Sequence, residues 1–446
     1  MKRLIETIKN IWKIEDLRKR ILTTLGLILV YRLGSMICLP GIDPSQLQAL
    51  QDQTSSGVLG LLDMFSGGAF SNASVLALGI MPYISASIVV QLLGMAIPYF
   101  QRLQKEGESG RRKINQITRY LTVIILLLQA PSYIANLHAQ LPPSAFIIKG
   151  TFFMIQSVVI LIAGTMFVMW IGERITERGI GNGISIIIMI GIIARLPFAI
   201  TSEFISRIEE QGGGMVMFLI ELVMLAAVIV FVILLVQGTR RIPVQYAKRI
   251  VGNKQYGGVR QYIPLKVNAA GVMPIIFAQA IMFIPVVAVG FAQSDTLTGV
   301  AAALGNYTGF WYNFLFAVMI VLFTYFYTAI IMNPTQMAED MKKNGGFIPG
   351  VKPGKKTVEF IDSIMSKITL PGSIFLSIIA IMPAFAMISG VSNQFAHFYG
   401  GTSLLILVGV VLDTLQQIES HLLMRHYDGL MKTGRIKGRG GYASAM

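Results

Sequence analysis

The residue types that usually carry chemistry are sparse in this chain. Its four histidines are His138, His397, His421 and His426, and its only cysteine is Cys38. The sequence contains no HExxH, GxSxG or CxxC pattern, so it shows no apparatus for metal binding or nucleophilic catalysis. A single cysteine also excludes an internal disulfide framework. We therefore predict no catalytic residue, no metal site and no cofactor.

One stretch comes near a phosphate-binding loop. Residues 350–357 read GVKPGKKT, whereas such a loop needs four residues between its glycines, then Lys and Ser or Thr, after a strand. Here the spacing is too short, a second Lys intervenes and Pro353 interrupts the loop. We predict that the chain carries no motor of its own.

The charged side chains within the long apolar segments are few and scattered. Arg32 and Asp413 lie near the middle of their segments, Arg195 and Glu221 nearer one end, and Glu419 at the other end. Intramembrane charges are functional candidates by default. A coupled ion or solute transporter would show a denser cluster, so we interpret these charges as structurally paired or lining a cavity.

Two polar stretches have the composition of docking surfaces. Residues 238–266 contain Lys and Arg but no Asp or Glu, and tyrosines are interleaved with them; residues 333–370 are longer and mix both signs. Basic charge also orients membrane proteins, but orientation needs only short loops. A long basic loop also suits a polyanion, either lipid headgroups or RNA phosphate.

All of these residues must be positioned by helices that cross a membrane. The 446 residues are 54% hydrophobic and 13% charged, against roughly 25% charged in globular domains. The apolar residues form blocks of about 20, the length at which a helix crosses a bilayer. We predict an all-α polytopic membrane protein with ten transmembrane helices. The spans are 21–40, 75–98, 118–137, 151–171, 183–202, 215–236, 268–292, 311–332, 371–390 and 402–420.

Positive charge falls almost entirely on one side of these spans. All but four of the 37 Lys and Arg lie in the terminal segments or in alternate loops, when Arg119, just inside the third span, is counted with the loop before it. The exceptions are Arg32, Lys149, Arg195 and Arg207. Because Lys and Arg near spans stay in the cytoplasm, we predict that both termini and the loops 238–266 and 333–370 are cytoplasmic. Residues 1–20 form a basic amphipathic segment without a signal-peptide pattern, predicted to lie on the membrane surface, and residues 421–446 form the tail.

The segment Gly57–Phe70 (GVLGLLDMFSGGAF) departs from the pattern of spans. It is moderately apolar, contains Asp63, is too short to cross, and runs into the second span through Gly67 and Gly68. Non-helical backbone at membrane depth is tolerated only inside protein or in a wet cavity. A re-entrant piece and an interfacial loop helix both fit these residues.

A short motif recurs in the two halves of the chain. Residues 79–82 read GIMP in the second span, and residues 271–274 read GVMP in the seventh. Each falls on the second span of five, and an odd number of spans makes the halves 21–202 and 203–420 inverted with respect to each other. Inverted repeats place a pathway at their interface. Each Pro removes a backbone donor, so we expect it to loosen its helix there.

Six longer stretches carry a resemblance to a known family. They are MFSGGAFSNASVLALGIMPYISASIVVQLL (64–93), KEGESGRRKINQ (105–116), GERITERGIGNGISIII (172–188), RRIPVQYAKR (240–249), PLKVNAAGVMP (264–274) and GGTSLLILV (400–408). Over nearly the whole chain, and in the same order, the sequence resembles SecY, the channel-subunit family of the bacterial protein-translocation machinery. The resemblance implies a passive channel in the bacterial inner membrane. Such a channel passes unfolded secretory polypeptides and releases membrane-protein segments sideways into lipid.

The resemblance also assigns site residues. It implies a ring of aliphatic side chains at the midpoint, which dewets and so blocks ions while idle, and it makes residues 57–70 a plug that caps the ring. The pore ring is Ile80, Ile84, Ile188, Ile276 and Ile406. The plug residues are Leu61, Leu62, Asp63, Met64 and Phe65. The lateral gate, between the second and seventh spans, is Pro82, Gln91, Pro274 and Gln279.

By the same resemblance the basic loops contact partners. The implied contacts with the SecA ATPase or the ribosome are Arg240, Arg241, Lys248, Arg249 and Lys352. Many relatives have arginine where Lys352 stands, and lysine keeps the charge but loses the planar bidentate fork. Further implied partners are the SecE and SecG subunits, precursor polypeptides and membrane lipids.

Two other functions fit ten spans in inverted halves. A secondary transporter of a small solute would accumulate its substrate from an ion gradient without SecA or a ribosome. An assembly scaffold without a pore would give no crosslinks to a passing chain.

Overall fold

The computed structural model of the chain describes most of its residues. These are residues 12, 14–47, 57–148, 150–209, 214–246, 249–251, 254–256, 260–279, 281–282 and 308–432. The helices are α1 Glu15–Met36, α2 Gly57–Ser66, α3 Met81–Ala96, α4 Pro98–Lys105, α5 Glu108–Gln140, α6 Thr151–Arg178, α7 Gly183–Glu209, α8 Gly214–Gln237, α9 Phe310–Ile331, α10 Pro334–Lys343, α11 Lys355–Ile388, α12 Asn393–Ala396 and α13 Gly401–Lys432. The strands are β1 Thr239–Tyr246, β2 Arg249–Val251, β3 Lys254–Tyr256, β4 Arg260–Lys266 and β5 Gly346–Phe347.

Seven of the helices in the described part of the chain are long and apolar enough to cross a membrane. They are α5, α6, α7, α8, α9, α11 and α13. Helices α3 and α4, bent by 102° at the break between them, make an eighth if they count as one span. In lipid the backbone must satisfy its hydrogen bonds internally, which a helix does. The predicted all-α polytopic membrane fold is confirmed.

Most of the predicted spans coincide with described helices. The spans at 118–137, 151–171, 183–202, 215–236, 311–332, 371–390 and 402–420 correspond in turn to α5, α6, α7, α8, α9, α11 and α13. Helix α1 covers most of the first predicted span, but its last eighteen residues contain the three charged side chains Lys19, Arg20 and Arg32, and it is not among the seven. Of the seventh predicted span, residues 283–292 lie outside the described residues.

The second predicted span starts later than predicted, and its proline has another role. Residues 67–80 are turns apart from Ser74, which forms an isolated bridge with Cys38, and α3 begins at Met81 with Pro82 in its first turn. Because first-turn amides have no intrahelical acceptor, proline costs little there. The prediction that Pro82 loosens its helix is therefore wrong, since Pro82 starts the helix.

The recurring motif is also a recurring local structure. Gly79 and Gly271 both have positive φ, at 53° and 64°. In both copies the helical residues begin two positions later, at Met81 and Met273. Glycine reaches this left-handed conformation without a Cβ clash, so the two copies share a glycine turn followed by a proline-started helix.

The chain forms two compact units. The first comprises residues 1–195 and 410–446, and the second comprises residues 196–409. This division falls near the end of the predicted first half (21–202) but assigns residues 410–446 to the first unit. The inverted halves themselves stay a prediction.

In the first unit the core surrounds α5 and holds the turns at residues 67–80. Tyr133 and Leu137 of α5 pack with Phe153 of α6 and with Phe70 and Ala77 of the turns. Backbones approach closely here, since a Cβ added to Gly164 of α6 would lie 2.2 Å from the carbonyl oxygen of Val75. Small residues permit this kind of packing between membrane segments.

The second unit contains a small antiparallel sheet where only loops were expected from the sequence. Its strand order is β4-β1-β5, with Arg241 opposite Pro264 and Gln245 opposite Phe347. Ile242 and Val244 alternate inward, as strand geometry requires. They pack with residues that include Leu265 of β4, Met341 of α10 and Ile361 of α11. The two predicted docking loops thus form one folded element, which we call the cap (β1, β4, β5, α10 and the start of α11).

Candidate functional site

The predicted plug, residues 57–70, is built into the first unit. Helix α2 is only ten residues long, and Asp63, Met64 and residues 66–70 are buried while Phe65 is half-buried. The side chains of Leu61 and Leu62 lie outside the described residues. The hydroxyl of Tyr31 on α1 donates to the carbonyl of Ser66 at 3.1 Å, and that of Tyr133 on α5 donates to the carbonyl of Phe70 at 2.9 Å. Buried carbonyls that leave a helix need such donors, and the burial supports the re-entrant interpretation.

Two arginines within the apolar segments bind this same segment. Nη1 of Arg32 on α1 donates to the carbonyl of Gly67 at 2.8 Å. Arg195 on α7 forms an ion pair with Asp63 and donates to Oγ of Ser71 at 2.6 Å. The backbone N–H of Ser71 donates to Oδ1 of Asp63 at 2.8 Å. The interpretation of the scattered charges as paired is confirmed for Arg195.

The predicted pore-ring residues lie in both units. In the first unit Ile80 is buried before α3, Ile84 is half-buried one turn later, and Ile188 is buried on α7. In the second unit Ile406 is buried on α13, and Ile276 is half-buried in the helical residues 273–279. The ring as a whole stays a prediction.

The two prolines of the predicted lateral gate occupy comparable positions in the two units. Pro82 and Pro274 are buried at the beginnings of their helices, and Gln91 is half-buried on α3. The side-chain oxygen of Gln279 lies 3.5 Å from the hydroxyl of Thr402 on α13. Their role in a gate stays a prediction.

The cap carries the predicted docking residues that the structure describes. Arg240 and Arg241 are exposed on β1, and Lys352 is exposed in the turn between β5 and α11. The hydroxyl of Thr357 fixes that turn by donating to the carbonyl of Lys352 at 3.0 Å. Lys248 and the side chain of Arg249 lie outside the described residues. Pairing of β1 with β5 therefore joins the two basic loops, although their roles stay a prediction.

A buried ionic cluster in the second unit was not among the predicted site residues. Arg207 on α7 donates from Nε to Oε1 of Glu203 at 2.9 Å, from Nη2 to Oε1 of Glu221 at 2.5 Å and from Nη2 to the carbonyl of Gly390 at 2.6 Å. The signal in the sequence is the four-residue spacing of Glu203 and Arg207, which places them on one helix face. The pairing interpretation is confirmed for Glu221 too.

Comparisons with known proteins agree with this architecture. The SecY family model matches residues 74–415. The protein translocase subunit SecY of Streptomyces scabiei is 44% identical over 435 residues, which cover 94% of this chain and 98% of that protein. These two matches confirm the predicted family resemblance.

Two solved structures show the same fold at low identity. One concerns the plug domain of the SecY protein, described as stabilising the closed state of the translocation channel and maintaining a membrane seal. It has a TM-score of 0.60 at 17% identity and covers 90% of this chain and 92% of that one. The other is Sec61 in the canine ribosome-channel complex from the endoplasmic reticulum, with a TM-score of 0.54 at 17% identity and the same coverage. With its sequence matched over nearly its full length and its fold shared, the chain belongs to the SecY family.

Proposed function

We propose that this chain is the pore-forming subunit of a protein-conducting channel in the bacterial inner membrane. It moves unfolded secretory polypeptides across the membrane and releases membrane-protein segments laterally into lipid. The observation that carries the proposal is the 44% identity to a protein translocase subunit over almost the full length of both chains. The chain has no catalytic activity of its own, and the SecA ATPase or a ribosome supplies the driving force.

The cap is the proposed docking surface for that driving machine. Exposed Arg240 and Arg241 lie on a strand that pairs with β5, and exposed Lys352 lies in the turn between β5 and α11. Tyr262 and Phe347 add exposed aromatic surface to the same sheet. Arginine and lysine beside aromatic rings suit RNA phosphate and acidic protein surfaces. The termini are cytoplasmic in this proposal, and SecE-like and SecG-like subunits complete the channel.

A photo-crosslinking experiment tests the pore directly. A crosslinker is placed at Ile84 in one variant and at Ile276 in another, and a secretory precursor is stalled midway through the reconstituted channel complex. Crosslinkers at Leu128 on α5 and Leu234 on α8, which are exposed apolar positions, are the matched controls. We expect precursor adducts at Ile84 and Ile276 and none at the controls.

The opposite pattern would end the pore assignment. Adducts at Leu128 and Leu234 without adducts at Ile84 and Ile276 would mean that no chain passes the predicted ring. Accumulation of a small solute in vesicles, driven by an ion gradient without SecA or a ribosome, would identify a secondary transporter instead.

A further inference from the structure

Two neighbouring glycines in the plug segment make room for two arginines. Gly67 and Gly68 have φ values of +66° and +91°, which favour glycine. A Cβ added to Gly67 would lie 2.7 Å from Nη1 of Arg32, and one added to Gly68 would lie 3.0 Å from the guanidinium of Arg195. The space that a side chain would need at each glycine is therefore occupied by the guanidinium of an arginine on another helix.

The bonds of Arg195 are directed at the plug segment and at Ser71, the residue that follows it. Among the described residues, its hydrogen bonds go to the carboxylate of Asp63 and to Oγ of Ser71. Nε of Arg195 is buried and has no hydrogen-bond partner among these residues. Arg32 donates to the carbonyl of Gly67. None of these bonds goes to the helix that carries the arginine. The contacts therefore indicate that the two arginines hold the plug segment.

The Asp63–Arg195 pair has the burial expected of a contact that forms and breaks. The side chain of Asp63 is 11% exposed and that of Arg195 is 30% exposed. A fully buried pair is strongly destabilising to separate, whereas a fully exposed pair contributes little. This pair lies between those limits.

We infer that Arg195 and Arg32 are positioning residues that hold the plug in its closed place, and that the Asp63–Arg195 ion pair is the contact that breaks when the plug moves. The inference rests on the proposed channel function and deepens it. It gives a role to the two intramembrane arginines and to the glycine pair at the end of the plug segment.

The test measures ion conductance of the idle channel. The complete channel complex is purified, reconstituted in proteoliposomes and assayed for chloride leak without a precursor. We expect Arg195→Met to raise idle leak about tenfold, a shift equivalent to about 1.4 kcal/mol of closed-state preference. Arg195→Lys keeps the charge and is expected to restore most of the seal.

A second variant guards against misfolding. Asp63→Asn keeps an oxygen that accepts from the N–H of Ser71 while removing the charge that Arg195 binds. We expect it to raise idle leak by a similar factor. Exchanging the charges, with Asp63→Arg and Arg195→Asp together, should lower the leak relative to either single change.

The matched control is another arginine–carboxylate pair in the same unit. Arg119 on α5 pairs with Glu173 on α6 at 2.6 Å, and among the described residues it makes no bond to the plug segment. Arg119→Met should leave idle leak at the wild-type level. The inference is overturned if the idle leak of Arg195→Met and Asp63→Asn equals that of wild type, or if Arg119→Met leaks as much as Arg195→Met. It is also overturned if the charge-exchanged double variant leaks as much as Asp63→Arg or Arg195→Asp alone. Failure of the proposed function looks different, because wild-type complex would then translocate no precursor.

Discussion

Two arginines of one helix, α7, make ion pairs of opposite character. Arg195, 30% exposed, pairs with one carboxylate on the plug segment of the first unit. Arg207, 10% exposed, pairs with Glu203 and Glu221 in the second unit, whose side chains are 1% and 3% exposed. The same residue type therefore forms one partly exposed ion pair and one buried ionic cluster.

The two sites differ in the number of hydrogen-bond and ion-pair partners that would be lost if the arginine were removed. In the second unit the backbone N–H of Ser392 donates to Oε2 of Glu203 at 2.9 Å, and the hydroxyl of Tyr399 donates to the carbonyl of Glu221 at 2.7 Å. Arg207 also binds the carbonyl of Gly390, beyond the end of α11. Removing one member of such a buried set leaves uncompensated charge. The Arg207 cluster thus joins α7, α8 and the end of α11, whereas Arg195 holds one short segment.

The largest expected effect comes from breaking the Arg207 cluster. Arg207→Met leaves two carboxylates buried without their cation, so we expect a loss of about 3–5 kcal/mol in stability. Thermal denaturation of the detergent-purified complex, followed by circular dichroism, measures it. Arg195→Met, assayed in parallel, should lower the midpoint much less because its site is more exposed. Equal shifts for the two variants would contradict the comparison.

We expect acid to lower the stability of the second unit, which contains the Arg207 cluster, through His397. This residue lies between α12 and α13, and burial lowers its pKa from 6.5 to about 4. The unfolded chain therefore takes up the proton first, and stability falls as pH falls from 6.5 towards 4. Linkage gives a loss of about 2 kcal/mol at pH 5 relative to neutral pH. The connection to the cluster is Tyr399, two residues further on, which donates to the carbonyl of Glu221.

The variant His397→Gln tests that assignment. Glutamine does not titrate, so the thermal midpoint of the variant should change less between pH 7 and pH 5 than that of wild type. A pH profile unchanged by the substitution would show that another group titrates.

The spans were predictable because the bilayer imposes their length. A helix that crosses lipid needs about 20 apolar residues, and the segments at 151–171 and 215–236 coincide with α6 and α8 for that reason. The sheet was missed because residues 238–266 were interpreted by charge alone. The alternation of buried Ile242 and Val244 with exposed Arg241 and Pro243 is the strand signal that the charge interpretation overlooked.

The sequence predicted that charges within the spans form pairs, but it did not predict which residues pair with each other. Arg195 and Glu221 stand out because charge is rare in spans. However, Arg195 and Asp63 are 132 positions apart, and no local pattern specifies which distant side chains meet. The ring, the gate and the docking contacts rest on the family resemblance, since one isoleucine or one surface arginine in sequence looks like any other.

The smallest expected effect is that of Glu221→Gln. This variant tests how the two carboxylates that Arg207 binds differ. Oε2 of Glu221 is buried without a hydrogen-bond partner among the described residues, so the amide keeps the acceptor Oε1 for Arg207 and removes surplus negative charge. We expect a change of less than about 1 kcal/mol in stability. Glu203→Gln is the matched control, because both oxygens of Glu203 accept hydrogen bonds, from Arg207 and Ser392. An amide offers only one acceptor oxygen there, so this substitution should cost about 1–3 kcal/mol. If the two variants denature at the same temperature, the cluster does not depend on individual partners, and the distinction between the Arg207 and Arg195 sites reduces to burial alone.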